Sequence, residues 1–87
     1  MADVQVKRAT IAGTRIERLV VSLHGLPDRT IDRDVAIAWM RDGHSLIPMI
    51  DGVRQPALGL VEVDGGHVIR ADGAVEGGDQ LPPLPEA

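Results

Sequence analysis

Cysteine, tyrosine and phenylalanine are absent from this chain, and tryptophan and lysine each occur once. Without cysteine there is no disulfide, no thiolate zinc site, no iron–sulfur cluster and no cysteine nucleophile. With one aromatic residue, the chain lacks the stacked faces that hold single-stranded nucleic acid. No run approaches the ~20 apolar residues of a membrane-spanning helix. Residues 1–10 alternate charged and apolar side chains and contain no apolar core of a secretory signal, so a cytoplasmic protein is expected. A length of 87 residues excludes a TIM barrel or a complete dinucleotide-binding fold and allows one domain.

What is present is enough to fold. Hydrophobic residues make up 44% of the chain and charged residues 25%, both close to the globular average, so a folded domain is expected. Leu, Ile and Val carry the apolar content, so the core must be aliphatic. Arginine outnumbers lysine eight to one, which reads as a coding bias of the source. The net charge of −4 is unevenly placed: residues 1–71 hold nine bases and nine acids, and Asp72, Glu76, Asp79 and Glu86 carry the whole excess.

Period-two alternation from Val4 to Lys7 predicts a strand, and Arg15 to Leu23 a second one. Ala12-Gly13 reads as the turn between them, which would set Ile11 opposite Thr14 and Arg8 opposite Glu17. After the loop signal His24-Gly25-Leu26-Pro27-Asp28, a helix is predicted with Asp32 as N-cap and Asp34 in its first turn. Arg41 falls near its end and Gly43 just past it. Ile31, Val35, Ala38 and Trp39 form its apolar stripe. Ser45 to Ile50 reads as a strand placed at an edge or bulged by Pro48. Ala57–Val63 and His67–Ala71 form a hairpin through Asp64-Gly65, pairing Leu60 with Ile69, Val61 with Val68 and Glu62 with His67. Both faces of that hairpin are apolar, so both should be covered. The expected fold is a small α+β domain over 1–71, in the order β-β-α-β-β-β, with one short helix on a mainly antiparallel sheet. Residues 72–87, rich in Gly, Pro and acids, are expected to be a disordered tail. The helix ending in glycine, the short strand and the Val-Glu-Val-Asp-Gly-Gly hairpin resemble small prokaryotic domains of unknown function, a likeness that implies no activity.

The residues with chemical potential each have a plainer reading. His24, His44 and His67 each adjoin a glycine, but their spacing matches no metal motif, and solvated turn histidines are the better reading. Asp42, His44 and Ser45 look like a triad in sequence only, since such triads are assembled from distant segments. No phosphate-binding glycine motif occurs. Arg8, Arg15, Arg18, Arg29, Arg33 and Arg41 are interleaved with Glu17, Asp28, Asp32 and Asp34. They read as a mixed solvated face, or as receivers of the chain's own acidic tail or of acids on a partner. Trp39 is expected to be the main core residue or an interface anchor, with Leu60, Ile69, Val61 and Val68 as further anchors. Leu81 and Leu84 are candidates for tail-mediated contact.

No catalytic, cofactor or metal site is expected. A body this small, without disulfide or metal, gains stability most readily by oligomerising. The expected function is a non-catalytic assembly or interaction domain, homo-oligomeric or bound to a larger protein. The alternative is a small acidic inhibitor or accessory protein, of phage anti-defence type, occupying a basic surface of a larger protein. Neither nucleic acid nor membrane is expected as a partner.

Overall fold

The computed structural model describes residues 3–23, 25–63, 65–71 and 78–86. It is a small α+β domain with one helix and a mainly antiparallel sheet, the fold class expected from the sequence. The elements are β1 (Asp3–Ala12), β2 (Arg15–Ser22), β3 (Arg29–Asp32), α1 (Arg33–Arg41), β4 (Ser45–Ile50), β5 (Val53–Arg54), β6 (Gly59–Val63) and β7 (Gly66–Arg70). The short β3 and β5 add to the strands read from the sequence. Five strands form one sheet in the order β3-β2-β1-β4-β5, and β6 and β7 form a separate ribbon. All neighbouring strands are antiparallel except β1 and β4, which run parallel and are separated in the chain by β2, β3 and the helix.

The first hairpin departs from the sequence reading. Ala12 pairs with Arg15 and Ile11 with Ile16, so the turn is Gly13-Thr14. Lys7 and Glu17 are each passed over in the register, as Val6 pairs with Val21, Arg8 with Val20, Thr10 with Arg18. Each bulge flips the alternation of the residues beyond it. That is why Val6 and Ala9, three apart, are both buried, and likewise Ile16 and Leu19. The expected Arg8–Glu17 pair is therefore not made; Glu17 pairs instead with Arg18, at 3.0 Å.

The helix begins and ends where its capping residues place it. The Asp32 carboxylate accepts from the Val35 amide at 2.9 Å, satisfying one of the donors left over in the first turn. At the other end the amides of Gly43 and His44 donate to the carbonyls of Met40 and Trp39, a paired closure that needs the left-handed φ of 95° at Gly43. The buried face differs from the expected stripe. Ala36 is the buried residue of the helix, flanked by Ile37, Trp39 and Met40 packed against the core, while Val35 and Ala38 are exposed. Asp32 sits at once at the end of β3 and at the cap, so the sheet sets the rotation of the helix and turns Ala36 inward.

Pro48 lies in a strand with neighbours on both sides, not in the expected edge strand. It is the last residue of β4 in register with β1, opposite Val6, and β5 pairs only with Met49 and Ile50. The proline thus falls where one ladder stops and the other begins, and its carbonyl accepts from Gln55 at 2.9 Å. The core is aliphatic: Val4, Val6, Leu19, Val21, Leu46 and Ile69 are fully buried.

The disordered tail expected from composition is corrected over residues 78–86. That segment lies against the body as a strap. Gln80 bridges to Arg70 and Glu86 to Ala9, both in the parallel sense, so the strap spans from the ribbon to the main sheet. Leu81 and Leu84 pack against the core. Asp72, Glu76 and the rest of 72–77 lie outside the described residues.

Candidate functional site

The strap is held by one carboxylate. Asp79 accepts from Nε and Nη2 of Arg33 at 2.8 and 3.1 Å, from the Ile16 amide at 2.8 Å and from the Ile69 amide at 2.9 Å. The Asp79 side chain is 0% exposed and that of Arg33 is 15% exposed. Arg33 Nη2 also donates to the His67 carbonyl at 2.6 Å. One acid therefore ties together the first residue of α1, the start of β2 and the C-terminal part of β7. Burial pushes the Asp79 carboxyl up, but the Arg33 hydrogen bond, the two amides and the Arg33 charge outweigh it and hold it below the ordinary value. The Arg33 guanidinium is correspondingly raised, chiefly by its hydrogen bond to Asp79. Four donors on a shielded carboxylate leave it no means of taking a substrate proton, so this group acts as a clasp.

Neighbouring contacts fasten the same segment. Arg70 donates to the Gly78 carbonyl, Arg8 to that of Glu86, and the Asp79 amide to the Thr14 carbonyl at 2.8 Å. A Cβ at Gly78 would run into the Thr14 carbonyl oxygen and side chain, so only glycine allows this approach. Among the arginines of the mixed face, Arg8 and Arg33 receive the chain's own tail. Arg18 pairs with Glu17, and Arg29 lies 5.7 Å from the centre of the Trp39 ring.

The second feature is the ribbon of β6 and β7, whose register is the expected one: Leu60 with Ile69, Val61 with Val68, Glu62 with His67. Its two faces meet different surroundings. Ile69 belongs to the main core and Leu60 packs against it. Val61 and Val68, which alternate with them, lie outside that cluster; Val68 is buried and Val61 half-buried. The two edges differ as well. The edge of β7 meets Gln80 of the strap, with Gln80 N donating to the Ile69 carbonyl and Ala71 N to the Gln80 carbonyl. Among the described residues β6 has β7 as its single strand neighbour.

Trp39 is half-buried rather than the centre of the core. With Val4, Leu23 and His44 it lines an apolar cleft of about 230 Å³, and the His44 ring meets it edge-on at 6.4 Å. A second cleft of the same volume lies beside the clasp, between Arg15, Val63 and Gly78. Ligand pockets usually span about 300–1,000 Å³, so both are small for that use. His44 lies on the helix closure and His67 in β7, in separate parts of the fold, and His24 is outside the described residues. Asp42 caps the helix and Ser45 opens β4 opposite Asp3. Leu81 and Leu84, the candidates for contact with a partner, are engaged with the chain's own core.

Sequence reasoning offered the arginines as receivers of the acidic tail but did not single out Asp79 or its pairing with Arg33. The one available signal was that its acid follows two glycines and precedes Gln-Leu, a short polar-to-apolar step inside a segment otherwise typical of disorder. A scan against protein-family models finds no match for this chain, and searches of the curated proteins and of the solved structures find none either.

Proposed function

We propose that this chain is a non-catalytic interaction domain that assembles with copies of itself. The observation that carries this reading is the ribbon. It has only two strands, one edge without a strand neighbour among the described residues, and a valine face outside the main core. A two-stranded ribbon is marginal alone and is stabilised by further strands or by packing on a helix; here one face meets α1 and the main core, and the other is the valine face. The one buried carboxylate described is saturated by donors, which supports a structural use of the charge.

The reading of an acidic inhibitor working through its tail draws on less. Asp79 is neutralised by Arg33, and the two tail leucines lie on the body. Native mass spectrometry from a gentle buffer tests the proposal. A principal species of two or more chains is expected, and a single chain at every loading would end it.

A further inference from the structure

Exposed sheet edges invite pairing, and folded proteins blunt them with short strands, charge or proline. In the main sheet, β3 is four residues long and carries Arg29 and Asp32, and β5 has only two residues. On the ribbon, the β7 edge is met by Gln80. The β6 sequence Gly-Leu-Val-Glu-Val has no proline and no base, and its one charge is Glu62. Just before this strand the Leu58 amide donates to the Leu46 carbonyl of β4 at 2.8 Å, and from Gly59 on β6 has no second strand neighbour among the described residues.

We infer that β6 pairs antiparallel with β6 of a second copy, about a two-fold axis through Val61. The two ribbons then form one four-stranded sheet in the order β7-β6-β6-β7. This rests on the assembly reading and names its interface. A two-fold contact must be complementary to itself, and this register is. Gly59 falls opposite the partner's Val63, and Leu60 opposite the partner's Glu62, so no like charges face one another. Val61 falls opposite the partner's Val61. Because Val61 already pairs with Val68, four valines then stand in one row across the sheet, on the face outside the main core. Opposed β-branched side chains of this kind stabilise sheets. Centring the pairing one residue later would set Glu62 against the partner's Glu62, which disfavours that slip.

The absence of native cysteine allows a clean test. Val61→Cys and, as a control on the β5 edge, Val53→Cys are each treated with a short dimaleimide at low protein concentration. Val53 is 60% exposed, so its thiol is open to the reagent. Rapid covalent dimer from Val61→Cys and little from Val53→Cys is expected. Equal yields from the two, with the unmodified chain still dimeric by light scattering, would overturn this interface and leave the assembly reading standing. A single-chain mass for the unmodified protein would overturn both. Val61→Lys opposes two ammonium groups across the axis and should weaken association by about a hundredfold or more. A folded Val61→Lys dimer of undiminished affinity would also overturn the interface. If this variant does not fold, the cross-linking result decides.

Discussion

Arg33 holds both carboxylate oxygens of Asp79, 46 residues further along the chain, at 2.8 and 3.1 Å. The pair closes the C-terminal strap over the start of the helix and the start of β2. Because the carboxylate also takes two backbone amides, its removal leaves the Arg33 guanidinium with the His67 carbonyl but no counter-charge, and deprives two N–H groups of their acceptor. Asp79→Ala should destabilise the domain by about 3–5 kcal/mol, as expected for breaking a shielded ion pair. Urea denaturation followed by Trp39 fluorescence measures this. The double variant Arg33→Met with Asp79→Leu should lose less than the sum of the single changes, because neither partner is then left alone.

Acid should release the same clasp. The Asp79 carboxyl is lowered from 3.8 on folding, so its contribution is fully present above that value and is lost as pH falls through the lower folded value. Hydrogen exchange at the Ile16 and Ile69 amides, both bonded to Asp79, should accelerate across that acidic window relative to the intrinsic rate. In Asp79→Asn this component of the pH dependence should vanish. Unchanged dependence in that variant would contradict the assignment.

Gly78 offers an independent check on the strap. Gly78→Val sets a branched side chain into Thr14. Overpacking of this sort costs about 1–3 kcal/mol. The expected signature is a lower melting temperature together with proteolytic cleavage within residues 78–86. A variant as protease-resistant as the parent would show that the strap does not pack against Thr14 in solution.

Trp39 should matter less than a fully buried tryptophan. It is half-buried, with the Arg29 guanidinium 5.7 Å from its ring centre. Truncation of a buried aromatic costs about 3–5 kcal/mol, so Trp39→Ala should fall below that range. Thermal unfolding by circular dichroism checks it.

The features legible in the sequence are those set by neighbours a few residues apart. Asp32 and Gly43 mark the helix ends, because capping acts over three or four residues. The register of the ribbon, Leu60 with Ile69 and Val61 with Val68, is the one that a two-residue turn read from the sequence implies. The bulges at Lys7 and Glu17 escaped notice because nothing in the local pattern distinguishes a residue passed over from one that pairs. The particular pairing of Asp79 was illegible for a different reason. Its partners Arg33 and the Ile16 amide lie 46 and 63 residues away, and the glycines and prolines around it have the composition of a free tail. The strap folds because the body supplies the donors and the apolar seat that its own sequence lacks.

Sedimentation equilibrium of the unmodified chain over a dilution series most directly tests the assembly claim. The account predicts the mass of two chains at the higher concentrations, falling toward one on dilution. A single-chain mass throughout, for protein that is folded by circular dichroism, would contradict it.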